Sequence, residues 1–125
     1  MSRALEKLSR RPDVVALNAA SLPAFIAEGT VALFFTGNAE RYPEIDDLAT
    51  VLPELQREFQ GQFRIGVIDP DAERDLARKY RISIRPTLVF LRNGAELGTL
   101  PRLRDWAVYL DEISRLLARP ETAVA

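Results

Sequence analysis

The side chains of this chain that could take part in chemistry are mainly carboxylates and arginines, because its 125 residues include no cysteine and no histidine. Without those two residue types the chain has no disulfide, no thiol nucleophile, no imidazole base and no zinc site of the usual kind. The candidates that remain are an acidic cluster, a pair of aspartates and a segment centred on a proline.

The acidic cluster comprises Glu40, Glu44, Asp46 and Asp47, around the predicted start of a long helix. One interpretation is favourable charge near a helix N-terminus, which contributes about 0.3–1 kcal/mol per residue. The other is a surface that binds the arginine side chains of a partner. The sequence leaves both interpretations open.

The pair of aspartates, Asp69 and Asp71, could serve acid–base chemistry or hold magnesium. Asp69 also directly precedes Pro70, an arrangement typical of a helix with the aspartate as N-cap and the proline as first residue. Capping accounts for Asp69, so we expect no catalytic residue, no metal site and no cofactor.

The proline-centred segment is Arg85-Pro86-Thr87, which leads into an apolar, β-branched run that ends at Asn93-Gly94. Such a run before Asn-Gly predicts a strand and a type I′ hairpin turn, and Ala95 to Leu100 alternates as a return strand should. Proline is confined to strand starts, edges and bulges. Pro86 therefore either shapes the sheet edge or takes part in binding a peptide in a groove.

The other elements follow from periodicity and helix-end signals. Strands are predicted at 14–17, 30–36 and 62–68, and helices at 22–27, 43–60, from Pro70, and at 104–118. Ser21 is the predicted N-cap of the first of these helices. The apolar stripes predicted to face the core are Ile45, Leu48, Leu52, Leu55 and Phe59 on the second helix, and Trp106, Leu110, Ile113 and Leu117 on the last.

This order of elements predicts one α/β domain over residues 1–125, with residues 1–12 as a short helix or a loose arm and 119–125 as a loose tail. Strands that alternate with helices imply a central sheet covered on both faces. The terminal hairpin makes that sheet mixed.

Composition limits the class of protein further. The chain is 47% hydrophobic and 28% charged with a formal net charge of −1, which is ordinary for a soluble globular protein and argues against a strongly basic nucleic-acid binder. No apolar run approaches the roughly 18 residues of a membrane span, and the N-terminus lacks the apolar core of a secretory signal. We therefore expect a cytoplasmic protein without membrane insertion.

The charges are unevenly distributed along the chain. Acidic residues outnumber basic ones between Asn38 and Asp75, and the balance reverses from Leu76 to Arg119. Solvated outer faces and a bipolar surface that recruits a charged partner both explain this pattern.

The string I-x-x-R-P-T-L-V-F-L-R-N-G, together with Pro53 inside the long helix, resembles the thioredoxin superfamily. The resemblance implies a three-layer α/β/α sandwich in which Arg85-Pro86 is a cis peptide beside the active site. It also places the two cysteines of the enzymes at Ile45 and Leu48, and their buried aspartate at Leu33. Thiolates are the nucleophiles of thiol–disulfide exchange, so this chain cannot perform that reaction.

Within that superfamily the chain resembles the HyaE/HupG family, encoded with uptake [NiFe]-hydrogenases, in the strings Phe-Phe-Thr-Gly-Asn (34–38), Glu-Arg-Tyr-Pro-Glu (40–44) and Arg-Pro-Thr-Leu-Val-Phe (85–90). The resemblance implies a non-catalytic chaperone that binds the hydrogenase small subunit or its twin-arginine leader. The residues expected to bind this partner are Glu40, Glu44, Asp46, Asp47, Arg85, Pro86 and Thr87. A redox-inactive adaptor with another protein partner, and an enzyme that uses carboxylates alone, are the alternatives; the oligomeric state is left open.

Overall fold

A computed structural model of the chain describes residues 3–37 and 43–120. The elements in chain order are α1 (Arg3–Ser9), β1 (Val14–Leu17), α2 (Leu22–Ile26), β2 (Thr30–Phe35), α3 (Glu44–Glu58), β3 (Arg64–Ile68), α4 (Pro70–Lys79), β4 (Thr87–Arg92), β5 (Ala95–Pro101) and α5 (Trp106–Leu117). The predicted order of strands and helices is confirmed, and the N-terminal segment contains a helix. Among the described helices, none is both long and apolar enough to cross a membrane.

The five strands form one mixed sheet in the order β1-β3-β2-β4-β5. β1 and β2 both run parallel to β3, whereas β4 is antiparallel to β2 and to β5. In the turn between β4 and β5, Asn93 and Gly94 have φ values of 50° and 85°. Positive φ at both central residues confirms the predicted type I′ turn.

The sheet is covered on both faces. Side chains alternate along β2: Ala32 and Phe34 belong to a buried cluster with α1, α3 and α5, while Val31, Leu33 and Phe35 belong to a cluster with α2 and α4. This is the period-2 alternation of a strand buried on both sides. The result is the three-layer α/β/α arrangement of a thioredoxin-like fold.

Helix α3 presents the predicted stripe to the core. Ile45, Leu48, Leu52 and Leu55 have no solvent exposure, and Pro53 lies inside the helix. Phe59 lies just beyond the last helical residue and is only half-buried.

The predicted stripe on α5 was wrong in part. The buried residues are Tyr109, Ile113 and Leu116, whereas Trp106 is 41% exposed and Leu110 is half-buried. Trp106 is the first residue of the helix, and the buried residues define a face rotated away from its side chain. Periodicity identified the helix but misplaced the centre of its apolar face.

Two predicted helix caps do not form through side chains. The Ser21 hydroxyl accepts a hydrogen bond from the Asn18 N–H (3.0 Å) instead of capping α2. Asp69 occupies the N-cap position of α4, but its side chain makes no capping bond. The Asp69 carbonyl already accepts from the Ala72 N–H (3.0 Å), one of the groups that a capping carboxylate would bind.

Two arginines bind the C-terminal ends of helices that are distant from them in the sequence. The Arg92 guanidinium donates to the carbonyls of Leu117 and Arg119, both at 2.7 Å, and to the Thr30 hydroxyl at 3.2 Å. Arg64 similarly binds carbonyls at the end of α2. A cation at a helix C-terminus satisfies carbonyls that lack intrahelical partners and interacts favourably with the helix dipole. Arg92 thereby fixes the end of α5 against β4.

We expect Arg92→Met to lower the free energy of unfolding by about 2–3 kcal/mol, because it removes three hydrogen bonds from a charged donor. Arg57→Met is the matched control: Arg57 is exposed and Glu54 is its one ion-pair partner among the described residues, so its loss should cost at most about 0.5 kcal/mol. Urea unfolding at neutral pH measures both. Equal losses for the two variants would contradict the role of Arg92.

Candidate functional site

The candidate site lies at the end of the sheet where the parallel strands terminate. The strand register aligns Phe35, the last residue of β2, with Thr87, the first of β4, and Thr87 with Pro101, the last of β5. Pro86 and Arg102 therefore lie side by side at this end. In open α/β sheets, ligands bind outside the carboxyl ends of the parallel strands.

Helix α3 begins at the same end. It is roughly 22 Å long at 1.5 Å per residue. A short loop joins its last turn to β3, and the first residue of β3, Arg64, pairs with Val31 at the opposite end of the sheet. The helix therefore runs from the candidate site towards that opposite end. Glu44 and Asp47, in its first turn, are exposed and form no ion pair with another described residue. They are the expected partner-binding carboxylates that the structure places on the surface.

Asp46 has a different environment. Its Oδ1 accepts a hydrogen bond from the Ala4 N–H at 3.1 Å, and the residue is half-buried. Its carboxylate therefore holds the start of α1 against the start of α3. Glu40, the remaining member of the acidic cluster, lies outside the described residues.

The segment around Pro86 is held by hydrogen bonds on both sides. The Arg85–Pro86 peptide bond is cis, as the resemblance implies. The Pro86 carbonyl accepts from the Arg102 N–H at 2.7 Å, and the Thr87 hydroxyl donates to the Ile84 carbonyl at 2.6 Å. Both Pro86 and Thr87 are buried, so their side chains offer little surface to a partner.

The Arg85 guanidinium turns inward to Glu73, a residue that the sequence interpretation overlooked. The two side chains are 17% and 13% exposed, with 3.3 Å between Arg85 Nε and Glu73 Oε2. The same Oε2 accepts from the Gly37 N–H at 3.1 Å. Glu73 thus joins the end of β2, the start of α4 and the segment before Pro86.

The environment of Glu73 is electrostatically unfavourable for its charge. Its second oxygen, Oε1, is buried and has no hydrogen-bond partner among the described residues. Burial raises the pKa of Glu73, and the Gly37 N–H and Arg85 offset this only in part. One signal in the sequence could have identified it: Glu73 lies on the apolar face of α4, at helical spacing from Ala77 and Tyr80.

Gly37 is required by the same contact. Its φ is +62°, and a Cβ at this position would lie 2.7 Å from Arg85 Cγ. Only glycine allows the backbone after β2 to approach the Arg85 side chain this closely.

The positions that the resemblance assigns to the thioredoxin active site contain only apolar side chains. Ile45, Leu48 and Leu33 are all fully buried. Ile45 and Leu48 lie on the buried face of α3, whereas Leu33 faces the α2 and α4 side of the sheet. Among residues 3–37 and 43–120, no group of three or more acidic side chains is placed to hold a metal ion.

Comparison with known proteins gives consistent matches. The family model for hydrogenase-1 expression protein HyaE matches residues 4–109. Hydrogenase expression/formation protein HoxO of Cupriavidus necator is 40% identical over 119 residues, which cover 93% of this chain and 74% of that protein. Hydrogenase expression/formation protein HupG of Bradyrhizobium diazoefficiens is 39% identical over 93 residues, which cover 74% of this chain and 63% of that protein.

The fold is also matched by a solved structure. A crystal structure of a Rhodopseudomonas palustris protein assigned as hydrogenase expression/formation protein hupG superposes with a TM-score of 0.59 at 35% identity, covering 83% of this chain and 95% of that one. The sequence and structural similarities agree, and the chain belongs to the HyaE family of hydrogenase expression proteins.

Proposed function

We propose that this chain is a non-catalytic chaperone of uptake [NiFe]-hydrogenase maturation, which binds the small subunit or its twin-arginine leader in the cytoplasm before export. Its relatives HoxO and HupG are named hydrogenase expression/formation proteins. The observation that carries the binding mode is the exposed pair Glu44 and Asp47, which occupies the first turn of α3 at the end of the sheet.

The leader chemistry fits this pair. Residues three apart on a helix face the same side with Cβ atoms roughly 5–6 Å apart, so Glu44 and Asp47 present two carboxylates together. A twin-arginine leader carries two adjacent guanidinium groups, which form charge-assisted and often bidentate hydrogen bonds with carboxylates. We include Glu40, which lies outside the described residues, among the proposed partner-binding carboxylates.

Ion pairs alone do not explain useful affinity, because exposed pairs contribute only about 0–1 kcal/mol each. The apolar part of the contact has a place at the same end of the sheet. A groove of about 170 Å³ there has Ile82, Ile84 and Pro101 as its apolar lining, beside the polar residues Arg81, Ser83, Thr87 and Thr99. It suits one apolar side chain from the hydrophobic segment of a leader.

A catalytic role based on carboxylates would have to use Glu73, since a raised pKa in a cleft is a common sign of an acid or base. The contacts of Glu73 favour a structural role instead. One oxygen binds Gly37 and Arg85, and the side chain is only 13% exposed. A general acid or base must reach a substrate proton within hydrogen-bond distance, and Glu73 is committed to joining three segments.

The structural role of Glu73 predicts a specific pH dependence. Because its pKa is raised on folding, the folded protein binds this proton more tightly than the unfolded chain. This tighter binding of the Glu73 proton stabilises the folded protein. The stabilisation is fully present below the unfolded-state pKa of Glu73 and is lost as pH rises through its folded-state pKa. Glu73→Gln cannot titrate, so its free energy of unfolding relative to the parent should increase from about pH 4 to about pH 7.

Urea unfolding at a series of pH values measures this difference, with Glu54→Gln as a control at an exposed carboxylate. A relative stability of Glu73→Gln that falls between the two pH values would show that the native pair lowers the pKa of Glu73. That result would contradict its assignment as a desolvated carboxylate.

The acidic surface is tested by the double variant Glu44→Lys with Asp47→Lys. Two lost ion pairs and two new repulsions should weaken binding of a synthetic twin-arginine leader peptide by at least about tenfold. Asp46 is left unchanged because it binds Ala4. Fluorescence anisotropy at low and high salt measures affinity, and the difference should shrink as salt screens the charges.

The matched control is Glu54→Lys with Glu58→Lys, which makes the same charge change at the far end of α3, where both side chains are exposed. It should bind the peptide within about twofold of the parent, since screening over more than a Debye length weakens remote charges. Equal affinities of the parent and the Glu44/Asp47 variant would place the leader elsewhere. They would favour the alternative of an adaptor with a different partner.

A further inference from the structure

The turn between β5 and α5 holds Arg102 in a backbone conformation that is unfavourable for a residue with a side chain. Its φ is +69°. Three other described residues that are not glycine also have positive φ. Gln60 and Arg81 follow the C-terminal ends of α3 and α4, and Asn93 lies in the hairpin turn. Those are ordinary locations for this conformation. Arg102 directly follows the last residue of β5, where glycine would be the simpler residue.

Hydrogen bonds on both sides hold the Arg102 backbone. Its N–H donates to the Pro86 carbonyl at 2.7 Å, and its carbonyl accepts from the Tyr109 hydroxyl at 3.2 Å. Tyr109 has no solvent exposure, and burial raises its pKa, so the hydroxyl remains a donor at neutral pH. An unfavourable conformation persists when the surrounding structure enforces it, and such residues cluster at functional sites.

The Arg102 side chain, in contrast, is unused by the fold. It is exposed, and its guanidinium makes no hydrogen bond or ion pair with any residue of 3–37 or 43–120. Two nearby arginines have carboxylate partners: Arg85 pairs with Glu73, and Arg104 pairs with Glu112 at 3.1 Å. Asp105, three residues further along, does not pair with it. Arg102 thus combines a backbone bonded to the Pro86 carbonyl with an exposed guanidinium that has no partner among the described residues.

The position of Arg102 in the fold complements the acidic pair. In the sheet β4 lies between β2 and β5, so Pro86, which precedes β4, separates the end of β2 from the chain that leaves β5. Glu44 and Asp47 lie on the first side and Arg102 on the second. Opposite charges on the two sides of a binding surface fix the register of a bound chain and disfavour like charges at each position.

We propose that Arg102 is a specificity-determining residue of the partner-binding surface, which pairs with a carboxylate of the bound polypeptide on the side of Pro86 opposite to Glu44 and Asp47. This rests on the proposed function and adds a second, oppositely charged contact to it. The carboxylate belongs to the small-subunit precursor, which is the partner in the proposed function. A guanidinium binds carboxylates through two parallel hydrogen bonds, and arginine is common among residues that dominate interface energetics.

The central variant is Arg102→Gly, which removes the guanidinium and suits the positive φ. Its melting temperature should be no lower than that of the parent, so a loss of binding cannot be attributed to unfolding. Its affinity for the purified small-subunit precursor should fall roughly fivefold at low salt, and this difference should shrink at high salt. Arg102→Lys, which keeps the charge without the planar fork, should retain part of the affinity.

Two controls separate charge from backbone. Arg57→Ala removes an exposed arginine at the far end of α3, and Gln60→Gly replaces a non-glycine residue whose φ is 54°. Both should bind the precursor as the parent does. Repeating the titration with the isolated leader peptide, and with the mature small subunit without its leader, identifies which part supplies the carboxylate.

The outcomes distinguish the two proposals. If the parent binds the precursor and Arg102→Gly binds it equally well, the role of Arg102 is overturned while the proposed function stands. If the parent binds none of the three probes, the proposed function fails and the inference about Arg102 fails with it.

Discussion

The antiparallel pairing of β4 with both β2 and β5 is the constraint on which the rest of this structure depends. It aligns Phe35, Thr87 and Pro101 across three neighbouring strands. Every segment of the candidate site leaves the sheet at that line. Shifting β4 by one residue would reverse which of its side chains face each helical layer, and it would also separate Pro86 from Arg102.

A second constraint acts locally on the same line. Glu73 binds Gly37 on one side and Arg85 on the other, so a single carboxylate sets the distance between the end of β2 and the segment before Pro86. The cost is a buried oxygen without a described partner. At the positions that the resemblance assigns to the thioredoxin cysteines, Ile45 and Leu48 are packed into the core. Burying each such side chain contributes about 1.5–3 kcal/mol to folding, so these two residues stabilise the helix that carries Glu44 and Asp47.

The sequence predicted the fold well because strands and helices are specified by local periodicity. The alternation in β2, the stripe on α3 and the Asn93-Gly94 turn each depend on neighbours a few residues away. The polar contacts of the site depend on distant residues and were not predicted: Asp46 binds Ala4, Glu73 binds Arg85, and Arg92 binds the end of α5. Amino-acid type shows that such groups need partners, but only the packed chain determines which partner is near. Trp106 shows the same limit for apolar residues, since its exposure depends on how α5 is rotated against the sheet.

The bond between Asp46 and Ala4 has a practical consequence for any fusion made with this protein. It fixes the beginning of α1 within about one helical turn of Glu44 and Asp47. A polypeptide attached ahead of α1 would therefore join the protein beside its acidic surface, at a high effective concentration relative to a ligand in solution. A basic affinity tag placed there would compete with a cationic leader for the same carboxylates. Arg92 on β4 holds the end of α5. A tag that follows α5 is therefore attached at a different part of the protein.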